Sequence, residues 1–192
     1  VINPRPPLSP RDNTDFIDNK MFSLYTTTQP YRYFDDYAHH DIFMHFFKQG
    51  AEWHQMPKGY HQTEVENKLH LLDIPGEHHP YMDASNCLKI GKHIFYTLRY
   101  TANQWGINWF KSILGDKFTF HELMDKQRWV DHTDAMIKIL RPGLVLSKFK
   151  KETVLKFMPQ FANWDFLFVE NDNDSISRYF HDQDTSDGKW YW

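Results

Sequence analysis

One order of elements occurs three times along this chain, and it narrows the possible folds more than any other feature. A polar titratable residue precedes a strand-like run, a tight turn and a second strand-like run, and a helical pattern then begins. The first copy has Pro10-Arg11-Asp12, a turn at Asn19-Lys20 and the run Met21 to Thr26. The second has Asp83 to Ile90, a turn at Gly91-Lys92 and the run His93 to Leu98. The third opens on His132-Thr133-Asp134 and continues as an apolar hairpin to Ser147. Residues i and i+2 of a strand point to one face, so His132 and Asp134 are expected to share a surface as a scaffolded acid/base pair.

The segments after each hairpin fit the same unit. Asp35 to Gln49 places Tyr37, Phe43, Phe46 and Phe47 broadly on one helical face, with Gly50 at the stop. Asn103 to Leu114 carries Trp105, Trp109, Ile113 and Leu114, ends at Gly115 and runs into Lys117 to Leu123. Lys151 to Met158 carries Val154, Leu155 and Met158, followed by Pro159 and the run Trp164 to Val169. Three ββαβ units result, at a period of roughly 50 residues, the upper end of the range for repeat architectures. Between them, Glu52 to Pro80 has no clear period. Connections of that length in compact domains are often lids or binding loops, and the polar stretch Asn171 to Asp187 resembles it in character.

Composition excludes several functional classes. A net charge of -3 argues against a nucleic-acid surface, which needs clustered Lys and Arg. No apolar run approaches the ~18 residues that span a bilayer, so no membrane partner is expected. A single cysteine excludes an intrachain disulfide framework and fits a reducing compartment, making the cytoplasm the expected location. At 192 residues with 17% aromatics, the chain has enough apolar material for one good-sized core, and residues 1–192 are read as a single domain. His39, His40, His45 and the His78-His79 pair lack the spacing of zinc ligands, so no metal is expected.

The segments Met82 to Phe95, Asn103 to Leu114 and His132 to Ser147 together resemble the glycine (arginine:glycine) and inosamine-phosphate amidinotransferase family. The motifs there read approximately Phe-Asp-Ala-Ala-Asp, Thr-Asn followed by Gly-Ile-x-Trp, and His-Ile-Asp-Ala with a later Pro-Gly. Phe47 to Trp53 and Met56-Pro57-Lys58 are similar to a further family segment. The resemblance touches most of the chain from about Pro10 to Val169. It implies a pentein-type α/β propeller of five ββαβ modules around a pseudo-fivefold axis. About three of those modules are present here, so the propeller is incomplete.

Function follows from the same resemblance. Asp83 matches the aspartate beside the catalytic histidine and His132 the general acid/base, while Asp12 and Asp134 match carboxylates that bind the substrate guanidinium. Lys151 stands near the position of an arginine that pairs with substrate carboxylate. Carboxylates suit a planar, permanently charged guanidinium because each can accept two of its five donors. The implied reaction transfers an amidino group from arginine to an amine acceptor such as glycine through a cysteine thiolate, with no metal or organic cofactor. Cys87 lies where the family usually has an apolar residue. The nucleophile is therefore expected on a continuation of the chain or on a partner chain, and an oligomer or second chain is expected to complete the fold and cover Trp190 and Trp192. Two other readings stay open: a deiminase-like guanidino hydrolase, and an inactive guanidino-binding remnant.

Overall fold

The computed structural model describes residues 10–25, 30–58, 79–98, 101–123 and 132–168. The loop after Lys58, the segment from Asn171 to Asp187, and Trp190 and Trp192 lie outside the described residues. The chain is α/β and contains three small sheets. By internal packing it divides into two compact units, Val1–Ala135 and Met136–Trp192.

Each module is an antiparallel hairpin whose second strand pairs in parallel with a third strand across a helical crossover. In the first module, β1 (Thr14–Ile17) and β2 (Lys20–Ser23) form the hairpin and β3 (Glu52–Gln55) pairs with β2. The turn sits one residue earlier than expected, because Asp18 takes the left-handed conformation at φ 55° and Lys20 already belongs to β2. Lys20 is in register with Glu52 and ion-pairs with it. β3 falls at the start of the stretch that showed no period. Its sequence Glu-Trp-His-Gln offers no apolar alternation, so pairing with β2, not pattern, defines it. The crossover is a 3-10 stretch, Pro30–His39, followed by α2 (His40–Phe47), and only Phe43 of that helix is buried. Tyr37, Phe46 and Phe47 of the expected apolar face are exposed. A four-residue helix, α1 (Pro10–Asn13), precedes β1.

The second module matches the sequence reading closely: β4 (Cys87–Ile90), β5 (His93–Tyr96), α3 (Gln104–Leu114) and β6 (Thr119–Glu122). Gly91 makes the hairpin turn at φ 57°. Asn103 caps α3, its Oδ1 accepting from the Gly106 amide at 2.8 Å and from the Tyr81 amide at 3.2 Å. Its Nδ2 donates to the His79 carbonyl at 2.8 Å, so the start of α3 is fastened to the segment leading to Asp83. Gly106 is required there, since a Cβ would sit 2.2 Å from the Tyr81 carbonyl oxygen. Modules one and two share a core in which Phe22 meets Phe110 edge to face at 4.7 Å, among Ile17, Met56, Met82, Ile94 and Ile107.

The second unit contains β7 (Ile137–Arg141), β8 (Leu144–Ser147), α4 (Lys151–Phe157) and β9 (Asp165–Phe168), with sheet order β7-β8-β9. Gly143 turns its hairpin at φ 82°. Val145, Val154, Met158 and Phe161 are buried, with Phe161 packed on Trp164 at 4.8 Å.

Candidate active site

Three short helical turns, each immediately before the first strand of a module, supply the candidate residues. Asp12 lies on α1, Asp83 caps the 3-10 turn Ala84–Asn86, and His132 and Asp134 flank and belong to the 3-10 turn Thr133–Ala135. All four residues fall in the first unit. The expectation that His132 and Asp134 share a strand face is corrected. The Ala135 amide bonds back to the His132 carbonyl at 3.3 Å, and this local closure makes a helical turn where an extended segment was expected.

The Asp83 position is built by backbone hydrogen bonds on both sides. The Met82 amide donates to the Tyr25 carbonyl at 2.9 Å and the Asp83 amide to the Thr101 carbonyl at 2.8 Å. The carboxylate is almost fully buried, at 1% side-chain exposure, and its Oδ2 stands 3.3 Å from His132 Nε2. His132 retains 28% exposure, enough for one face of the ring to reach a small molecule.

Opposing influences act on this imidazole. Burial disfavours the imidazolium, but Asp83 favours it by hydrogen bonding and by charge, and Asp12 and Asp134 add to that field. The balance holds the His132 pKa above the ordinary histidine range. The turns that carry Asp12 and Asp134 both pack against the turn that Asp83 caps. Asp134 in turn meets Arg11, with Nε 3.9 Å from Oδ2, while Arg11 Nη2 donates to the Cys87 carbonyl at 3.1 Å.

Lys151 is placed differently. It lies in the second unit, where its Nζ donates to the Trp164 carbonyl at 2.7 Å and stands 5.2 Å from the Phe166 ring centre. Its ammonium is engaged within its own module, so a contact with substrate carboxylate rests on the resemblance alone. Cys87 is buried in β4, and burial, with Asp15 adding to it, pushes its thiol far above the range in which a thiolate forms. Of the other histidines, His40 packs on Trp53 and His45 bonds Gln49 at 2.8 Å.

Several residues that hold the site were missed from sequence. Thr133 Oγ1 donates to the Asn86 carbonyl at 2.6 Å, Thr101 Oγ1 to Asn86 Oδ1 at 2.9 Å, and Asn86 Nδ2 to Thr97 Oγ1 at 3.3 Å. The one signal available was the concentration of Thr and Asn where hairpins begin and end, residue types that bond locally to the backbone.

Comparisons with known proteins place the whole chain. The L-arginine:L-lysine amidinotransferase of Pseudomonas savastanoi pv. phaseolicola is 30% identical over 146 residues, covering 71% of this chain and 39% of the relative. The solved structure of an amidinotransferase of saxitoxin biosynthesis from Microseira wollei matches with a TM-score of 0.66 at 25% identity, over 85% of this chain and 48% of that one. This chain belongs with the amidinotransferases. A dimethylarginine dimethylaminohydrolase structure shares the fold, with a TM-score of 0.60 over 85% of this chain and 53% of that one at 12% identity. The fold is of pentein type. No family model matches the chain. It spans about two fifths of the length of the Pseudomonas relative and about half of the solved structures.

Proposed function

We propose that this chain forms the guanidinium-binding and proton-transferring part of an amidinotransferase site that acts on arginine. The observation that carries the proposal is the packing of the turn bearing Asp12 and of the turn bearing His132 and Asp134 against the turn that Asp83 caps, with Asp83 Oδ2 3.3 Å from the partly exposed His132 imidazole. A site so rich in negative charge favours a cation, and a guanidinium offers five donors to carboxylates placed around it.

In this reading Asp12 and Asp134 fix the plane of the substrate guanidinium, and Asp83 orients His132. A cysteine thiolate attacks the guanidino carbon and forms a C–S bond. The C–N bond to the ornithine nitrogen breaks, and that nitrogen takes its proton from the His132 imidazolium. An acceptor amine then attacks the same carbon, the C–S bond breaks, and neutral His132 receives the amine proton. Buried Cys87 is unsuited to the nucleophile's part and no other cysteine occurs in the sequence, so the thiolate comes from outside these 192 residues, on further chain or on a partner. The three modules are then part of a five-module propeller. Glycine is one acceptor that fits. The Pseudomonas relative is named for lysine, so the acceptor is a separate variable within the family.

Arginine binding by calorimetry or chemical-shift titration tests the proposal. Arginine is expected to bind and citrulline, its neutral counterpart, is not. Asp134→Asn should weaken arginine at least tenfold, in line with about 1.5–3 kcal/mol for a hydrogen bond to a charged group. Equal binding of the two amino acids, or an unchanged affinity in Asp134→Asn, overturns it. With a cysteine-bearing polypeptide restored, release of ornithine marks transfer and release of citrulline marks hydrolysis.

A further inference from the structure

We infer that Asn86 and Thr133 are the positioning pair that holds His132 against Asp83. The inference deepens the proposed function, since it names what keeps the acid/base group in place, but its geometry stands without that reading. His132 and Asp83 are separated by nearly fifty residues of sequence, and the two turns that carry them meet at Asn86.

Asn86 reaches in both directions. Toward Asp83, its Oδ1 accepts from the Asp83 amide at 3.3 Å and its own amide donates to the Asp83 carbonyl at 3.1 Å, closing the turn whose first residue is the aspartate. Toward His132, its carbonyl accepts the Thr133 hydroxyl at 2.6 Å, one residue from the imidazole. The hub is itself fixed: the Thr97 amide donates to the same carbonyl at 3.1 Å, Thr101 Oγ1 donates to Oδ1 at 2.9 Å, and Nδ2 donates to Thr97 Oγ1 at 3.3 Å. Asn86 and Thr133 are both 0% exposed, so water does not compete for these bonds. A buried donor without its partner is costly, and a rotated Thr133 turn would leave its hydroxyl in that state. The turn therefore has one favoured orientation, and that orientation delivers His132 Nε2 to 3.3 Å from Asp83 Oδ2.

The ring's titration reports its distance from the carboxylate. The groups facing it are Asp83, Asp12 and Asp134, with Arg11 beside Asp134. β4, packed on the same turn, adds the neutral Cys87 thiol and Lys89, whose ammonium lies 5.7 Å from the Phe118 ring centre. None of these is altered by a change at Thr133.

The experiment follows the His132 ring protons by NMR across pH in the full chain without arginine, with the resonance assigned by its loss in His132→Gln. Thr133→Val replaces the hydroxyl by a methyl of the same shape and leaves the Asn86 carbonyl its bond from Thr97. The His132 pKa is expected to fall toward the ordinary histidine value in Thr133→Val and to stay raised in Thr133→Ser, which keeps the donor. Thr133→Ala removes the same bond with less bulk and gives the second reading if the valine variant does not fold. A folded valine or alanine variant in which His132 titrates as in the parent overturns the inference. Absent arginine binding by the parent chain would count against the guanidinium reading, not against this one.

Discussion

Replacing Asp83 by asparagine keeps the size of the side chain, removes its charge and turns one acceptor oxygen into a donor, so the pH-dependent part of the effect on stability is readable from the Asp83–His132 pair. The His132 pKa is raised in the folded protein. The pair therefore contributes its full stabilisation below the unfolded histidine value of about 6.5 and loses it as pH rises through the folded value. A charge-assisted hydrogen bond is worth about 1.5–3 kcal/mol. The carboxylate is buried but the ring is 28% exposed, and solvent screening at the ring favours the lower part of that range, about 1.5–2 kcal/mol. Asp83→Asn should thus lower stability by about that amount near pH 5.5.

Above the folded His132 pKa the contribution of the pair is lost. His132 is then neutral, and the parent protein buries a carboxylate without the cation that compensated it, a cost the amide avoids. The stability difference between parent and variant should shrink steadily with pH and approach zero or reverse. Urea unfolding of both proteins at several pH values from 5.5 to 9 measures it, and taking the difference cancels the titration of the other histidines. A difference that is constant across this range, or that grows with pH, would refute the pairing of Asp83 with a protonated His132.

Two further outcomes follow from the same site. Cys87, buried in β4 with its thiol pushed upward, should resist an aromatic disulfide reagent in the native protein and react fully in urea, and Cys87→Ala should bind arginine as the parent does; rapid native labelling would contradict its placement. Arginine affinity should strengthen as pH rises through the His132 pKa, because in the proposed site a bound guanidinium and the imidazolium draw on the same carboxylates; an affinity that is flat or weakens across the His132 titration followed by NMR in the same protein would show that they do not share them.

The second and third modules were legible from sequence because each carries local punctuation. Gly91 and Gly143 mark their turns with positive φ, Asn103 caps α3, and strand-like runs rich in apolar residues identify β4, β5, β7 and β8. The first module was less legible. Asp18, a residue that tolerates the left-handed region without announcing it, makes its turn, and its third strand is polar. Asp12, Asp83, His132 and Asp134 could be named from motif and repeat position, whereas the 3-10 turns that carry them could not, since three-residue helical turns have no periodicity to detect. Asn86, Thr97, Thr101 and Thr133 were invisible for another reason. Their importance lies in bonds between turns 11 to 47 residues apart, which no local pattern encodes.

The repeat explains why such a site can be assembled from short-range structure at all. The strands of every module are four or five residues long, too short to carry chemistry beyond their own pairing. In each module the chain enters its first strand through a helical turn, and these turns carry Asp12, Asp83 and Asp134, with His132 directly before the third. Two of these turns, carrying Asp12 and Asp83, pack against each other, and the turn bearing His132 and Asp134 packs against the one that Asp83 caps. The turns before the three hairpins thus carry Asp12, Asp83 and Asp134 on packed elements together with His132, the residue that moves the proton in the proposed function. Repulsion among the carboxylates is offset by His132, beside Asp83, and by Arg11, beside Asp134, and in the proposed function a bound guanidinium takes over that role.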